Sequence, residues 1–187
     1  MSPTASRIRR IRALIPPLTA GLVAGLAGGC GSDGSSARTD RPLPGLAPDT
    51  VGKSLADAGW AVPLAPMPRK GAAPDPKDTT WLRQGRGRAP DGVGLGVVTG
   101  GTTGTTVSTV TCQVFGATPA RAVELLAGCA KATAAGQADD ARVRAWLKEH
   151  VDQASQGIGF PLTSRTVTYH LGVMPGDDIR ALTTTAN

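Results

Sequence analysis

The sequence predicts an α+β domain in which an antiparallel sheet of two hairpins, in ββααββ order, carries two helices on one face. Two segments of alternating apolar and polar residues flank two amphipathic helical segments, and the order has no regular βαβ alternation. Threonine fills many of the polar strand positions, which is typical of a sheet with one covered and one open face. We therefore expect both helices on the covered face and a threonine-rich face opposite them.

The first predicted hairpin joins two alternating segments through a turn-rich connection at residues 99–104. Val93, Leu95 and Val97 alternate with small residues, and residues 109–114 alternate between polar and apolar side chains. The second predicted hairpin pairs residues 167–173 with residues 179–185 across the turn Pro175-Gly176-Asp177-Asp178. Both patterns have the period of two that is typical of half-buried strands.

Two amphipathic helices are predicted between the hairpins. The first begins with Thr118 as its N-cap and Pro119 at its first position, and Gly136 ends it. The second begins at Asp139 or Asp140 and ends before Gly157. Each helix has one apolar face, so we expect both to pack against the sheet.

The segments before residue 93 carry weaker signals. Residues 30–48 are rich in Gly, Ser and then Pro, which predicts a tether, and residues 49–187 form the single α+β domain. Asp49 is the predicted cap of a short helix from Thr50 to Ala58, and residues 60–64 a short extended piece. Residues 65–92 are rich in Pro, Gly and basic residues, which predicts a long irregular loop with a short strand near Thr79 to Arg83.

The net charge gives no support to a nucleic-acid partner. The 187-residue chain has twenty basic and fourteen acidic residues, a formal charge of +6. Four of the basic residues are arginines at positions 7–12, so removal of residues 1–29 leaves sixteen basic residues and a charge of +2. A domain with so small a charge has no strong field for phosphate backbones.

Residues 1–29 have the order of a secretory signal peptide. Arginines at positions 7–12 form a cationic region, and a mostly apolar run follows from Ala13 to Gly29. The run is short and rich in Gly and Pro, and Pro16-Pro17 would disturb a membrane-spanning helix. We therefore predict export of the chain rather than a membrane span.

The end of this run, Leu26-Ala27-Gly28-Gly29-Cys30, resembles a bacterial lipobox. That family prefers a large aliphatic residue three places before the cysteine; this chain has Ala27 there and Leu26 one place further back. The resemblance implies that Cys30 is fatty-acylated and holds the protein at the extracytoplasmic face of the cell membrane. The alternative is an ordinary secreted protein with a free Cys30. Leader and composition are together similar to the small uncharacterised lipoproteins of high-GC Gram-positive, actinobacterial-type bacteria, a resemblance that brings no functional residues with it.

The three cysteines fit an exported chain. Lipidation of Cys30 leaves Cys112 and Cys129, which would be oxidised outside the cytoplasm. Cys112 is in phase with the core side of its strand, and Cys129 lies on the apolar face of the next helix. A disulfide between them would attach helix to sheet; the alternative is two buried free thiols.

The sequence contains no motif that specifies a reaction, a metal or a cofactor. The two histidines, His150 and His170, are far apart, and no cysteine or histidine spacing typical of a metal site occurs. No Gly-x-Ser-x-Gly or Ser-x-x-Lys motif is present. We expect His150 to be packed beside its helix and His170 to lie on the open sheet face.

The favoured function is a non-catalytic binding or scaffolding module at the cell envelope, with an envelope protein, a wall polymer or a small ligand as partner. One alternative is a small envelope-acting hydrolase or transferase, in which His150 or His170 converges with a carboxylate such as Asp177 or Asp178. Another is a membrane-surface regulator that acts through the basic loop 69–88, where Arg83, Arg86 and Arg88 would contact anionic head groups.

Overall fold

One antiparallel sheet dominates the part of the protein that the computed structural model describes, namely residues 41–67, 80–134, 136–153, 159–174 and 178–187. These residues belong to one compact unit. The predicted signal peptide, the lipobox with Cys30, residues 30–40 of the predicted tether and Asp177 lie outside the described residues.

Seven strands form this sheet, and three helices accompany it in the described ranges. The strands are β1 (Ala65–Pro66), β2 (Trp81–Arg88), β3 (Gly94–Gly101), β4 (Thr109–Phe115), β5 (Phe160–Thr163), β6 (Val167–Met174) and β7 (Ile179–Ala186). The helices are α1 (Val51–Asp57), α2 (Pro119–Thr133) and α3 (Asp140–His150). The strand order across the sheet is β1-β2-β3-β4-β7-β6-β5, and every neighbouring pair is antiparallel.

The predicted ββααββ fold with two helices on one face is wrong. The sheet is larger and richer in strands, because β1 and β2 come from residues 65–92, which the composition predicted to be an irregular loop. Strand β2 reads WLRQGRGR and lacks apolar alternation, yet all eight of its residues pair with β3. Backbone pairing with an existing neighbour, rather than side-chain pattern, makes it a strand.

Glycines in β2 are required by the chain that crosses it. A Cβ at Gly85 would overlap the carbonyl oxygen of Pro63, and one at Gly87 would lie 3.3 Å from the carbonyl oxygen of Ala61. The glycines that suggested a loop therefore allow the segment after α1 to lie directly on the strand.

Both predicted hairpins are present, as β3–β4 and β6–β7. Val97 pairs with Cys112 in the first, and Leu171 pairs with Leu182 in the second. Strand β4 then pairs with β7, with Cys112 opposite Leu182, and this central pairing joins the two hairpins into one sheet.

The helix caps agree in part with the sequence. The Thr118 hydroxyl accepts from the amide of Arg121 at the start of α2, and Asp139 accepts from the amide of Arg142 at the start of α3. The Asp49 cap is wrong, because the N-cap position of α1 is Thr50, which makes no side-chain capping bond to the helix.

The core lies between the sheet and the helices. Helix α2 packs on β4 and β7, while α1 and α3 pack against α2. The Trp60 side chain is fully buried, and its indole N–H donates to the carbonyl oxygen of Leu125 over 2.9 Å. Leu43 and Leu46 are also buried, so residues 41–48 of the segment assigned to the tether contribute to the packed domain.

The disulfide between Cys112 and Cys129 is confirmed. Both cysteines are fully buried, and their Cα atoms lie 6.5 Å apart. The bond connects the middle of β4 to α2, so it ties the covered face of the sheet to its main helix.

Candidate binding face

One face of the sheet is left uncovered by the helices that the structure describes. The contacts that join helices to sheet arise from the other face, through the Cys112–Cys129 disulfide and the Tyr169 hydroxyl, which donates to the carbonyl oxygen of Ala130. We define the open face as the even-numbered residues of β2, β3 and β6 with the odd-numbered residues of β4, β5 and β7, which the register places on the opposite side. The two faces of the sheet therefore differ in what covers them.

Threonine hydroxyls occupy the middle of the open face. Thr111 on β4 lies opposite Thr183 on β7, and their hydroxyl oxygens are 2.9 Å apart. On β6, Thr168 donates to the side chain of Asn187, and His170 is exposed and in register with Thr183. This region is polar and rich in neutral hydrogen-bonding groups.

A second region of the open face combines arginine, an aromatic ring and glycine. We name the residues Arg86, Arg88, Phe115, Gly94 and Gly96 the basic corner. The guanidinium carbon of Arg86 lies 5.9 Å from the centroid of the Phe115 ring, a cation–π distance. A Cβ at Gly96 would lie only 3.0 Å from that ring, so the missing side chains of β3 make room for the ring to lie across the strand.

The basic corner borders a shallow open depression of about 830 Å³. Arg88 donates to the carbonyl oxygen of Gly92 over 3.0 Å. The nearby carboxylate of Asp91 accepts from Arg121 at 2.6 Å, and this hydrogen bond lowers the pKa of Asp91. Among the described residues, neither Arg86 nor Arg88 has a carboxylate partner.

The structure separates the three arginines that the sequence placed in one basic segment. Arg86 and Arg88 are exposed on the open face, whereas Arg83 lies on the other side of β2. Successive side chains of a strand point to opposite faces, and Arg83 is an odd number of residues away from both. Its guanidinium donates to the carbonyl oxygen of Pro48 over 2.7 Å and lies 5.5 Å from the Trp81 ring centroid. Arg83 therefore fixes the segment before α1.

The two histidines occupy different environments. His150 Nδ1 lies 2.9 Å from the carbonyl oxygen of Trp146, and its ring lies 4.6 Å from that of Phe160. His170 is exposed on the open face. Within the described ranges neither histidine has a carboxylate at hydrogen-bonding or ion-pair distance, and Asp178 pairs with Arg180 at 2.9 Å. Since Asp177 lies outside those ranges, the hydrolase alternative stays a prediction.

The described residues contain no group of three or more side chains that could hold a metal ion. They also contain no helix long and apolar enough to cross a membrane.

No known protein family matches this chain. No curated protein and no solved structure is significantly similar to it. Its function is therefore inferred from the chemistry of the open face.

Sequence reasoning did not identify Phe115 or the glycines beneath it as site residues. The signal was present in the spacing, because Gly94 and Gly96 alternate along the start of β3 and Phe115 continues the polar phase of β4. A large ring on the face of one strand beside glycines on the next is a cross-strand pattern. It becomes visible only when the register of the two strands is known.

Proposed function

We propose that this protein is a lipid-anchored extracytoplasmic binding module that holds its partner against the open face of its sheet. The observation that carries the proposal is that face itself, a broad surface of hydroxyl, amide and guanidinium groups left uncovered by the described helices. Such a surface binds through many weak hydrogen bonds rather than through one enclosed pocket.

The proposal of an anchor outside the cytoplasm rests on the cysteines. A buried disulfide between Cys112 and Cys129 is typical of a protein that matures in an oxidising compartment. That pair accounts for two of the three cysteines, and the third, Cys30, ends the segment that resembles a lipobox.

We propose a non-catalytic role because the polar groups of the open face suit binding better than proton transfer. Threonine hydroxyls and arginine guanidinium groups hold one protonation state near neutral pH. His170 is exposed on this face, and a histidine needs an orienting partner to act efficiently as an acid or base.

The anchor is tested by the Cys30→Ala variant in a lipoprotein-processing host. We expect the wild-type chain in the membrane fraction and the variant in the medium, because the variant lacks the thiol that takes the lipid. Mass spectrometry of the membrane form checks for an acyl group on Cys30. Recovery of the wild-type chain in the cytosol, full-length and without an acyl group, would contradict the anchor.

Binding by the open face is tested by co-sedimentation of the purified domain with isolated cell envelopes. The variant Thr111→Gln/Thr183→Gln places longer neutral side chains at the centre of the open face. Its matched control, Ala141→Gln/Ala145→Gln, adds the same group at exposed positions on α3. We expect the first pair to lower co-sedimentation and the second pair to leave it unchanged. Equal behaviour of the two variants, with both folded by thermal unfolding, would rule out this face.

A further inference from the structure

We propose that the basic corner binds the acidic groups of an anionic glycan. This inference rests on the proposed function, since it takes the open face as the binding surface, and it adds the chemical class of the partner. Two observations carry it: two arginines without a carboxylate partner among the described residues, and an aromatic ring that lies on the glycines of the neighbouring strand.

The charge of the basic corner selects for an anion. Arg86 and Arg88 point to the same side of β2, and neither has a carboxylate partner among the residues described. Asp91, the acidic residue at the edge of the depression, already accepts from Arg121. Guanidinium groups bind carboxylates and phosphates with two parallel hydrogen bonds, so the corner is complementary to a polymer that carries such groups.

The ring of Phe115 adds a reason to expect sugars. It lies across the glycines of β3 and is partly exposed at the edge of the open face. Pyranose rings have apolar C–H faces that pack on aromatic rings, and their hydroxyls need donors and acceptors at the sides. Gln113, next to the ring along β4 on the same face, supplies an amide, and Thr111 supplies a hydroxyl. A shallow depression open to solvent suits a linear chain of sugars better than an enclosed small molecule.

The test measures binding of the purified domain, with its disulfide intact, to four probes. Soluble polygalacturonate represents the anionic glycan, dextran a neutral glycan, polyglutamate an acidic polypeptide, and phosphatidylglycerol vesicles an anionic membrane. We expect saturable binding of polygalacturonate that weakens as salt rises, and at least about tenfold weaker binding of the other three.

Two variants of the basic corner distinguish the contribution of its arginines to binding from that of the Phe115 ring. Arg86→Gln/Arg88→Gln should weaken polygalacturonate binding about tenfold, because it removes the two guanidinium groups that would pair with carboxylates of the glycan at an exposed site. Phe115→Leu should weaken it severalfold while leaving the salt dependence unchanged, because it removes the flat ring but no charge. The matched control Arg142→Gln/Arg144→Gln removes the same charge from the exposed surface of α3 and should have no effect.

Several results would overturn the inference. Polyglutamate binding as tight as that of polygalacturonate, with Phe115→Leu unaffected, would indicate an acidic protein as partner. Tight vesicle binding that Arg86→Gln/Arg88→Gln abolishes would indicate the membrane instead. Equal losses in the corner and α3 arginine variants, or no polygalacturonate binding at all, would also refute it. If Thr111→Gln/Thr183→Gln still lowers envelope co-sedimentation in that case, the open face remains a binding surface and only its proposed ligand fails.

Discussion

Removal of the Cys112–Cys129 disulfide should destabilise the domain by about 3 kcal/mol. The bond joins residues separated by 17 positions, and closing a loop of that size in the unfolded chain corresponds to roughly 3 kcal/mol on the loop-entropy account. Both sulfur atoms are fully buried, so the double variant Cys112→Ala/Cys129→Ala also loses packing against the core. We therefore expect the variant to lose at least as much stability as reduction of the wild-type protein.

The assay is urea unfolding followed by tryptophan fluorescence. With a slope of about 2 kcal/mol per molar urea, a loss of about 3 kcal/mol lowers the midpoint by roughly 1.5 M. Reduced wild-type protein keeps its sulfur atoms and loses only the covalent link, so its comparison with the alanine variant separates loop entropy from packing. A midpoint that is the same for oxidised and reduced wild-type protein would refute the reasoning.

Three further outcomes follow from the structure. Gly85→Ala should destabilise the domain by roughly 2 kcal/mol or more, because the added Cβ overlaps a backbone carbonyl, whereas Gly172→Ala meets no atom within 4 Å and should cost far less in the same urea assay. Arg180→Met should cost about 2 kcal/mol, because the Arg180 side chain is only 12% exposed and its guanidinium donates to the carbonyl oxygens of Ala117, before α2, and of Val151, after α3; an unchanged unfolding midpoint would contradict this. Burial raises the pKa of Tyr169 to about 12, so the stability contributed by its neutral form is present below about pH 10 and is lost between about pH 10 and pH 12. Tyr169 is the single tyrosine of the chain, so its ultraviolet titration reports this pKa directly, and Tyr169→Phe should remove that part of the pH dependence.

Elements with strong local signals were predicted well. Helix α2 has a threonine cap, a proline at its first position and a continuous apolar face, and it begins where the sequence places it. Strands β4 and β6 alternate cleanly because one side of each is buried against the helices. In these segments local preference and tertiary burial favour the same structure, so the pattern alone is enough.

The full extent of β2 and the whole of β5 could not be predicted, because their stability is not local. The predicted short strand near Thr79 to Arg83 overlaps only the first residues of β2. Strand β2 has three arginines and two glycines. It forms a strand because its backbone pairs with β3, and its glycines leave room for the segment around Pro63 to pack directly on it. Strand β5 is four residues long and contains Pro161, which is tolerated because the strand lies at the edge of the sheet. The same non-local pairing determines that Arg86 and Arg88 share a face while Arg83 does not.

The sequence by itself determined the hairpins, the two central helices and the disulfide, because each depends on periodicity, capping or cysteine parity within a short stretch of chain. The lipobox resemblance at Cys30 and the function it implies stay predictions. Only the tertiary structure decided that the sheet has seven strands and that Phe115 lies on the glycines of β3 beside two arginines. Those features depend on which strands become neighbours, and strand pairing is set by contacts between residues that are distant in the chain.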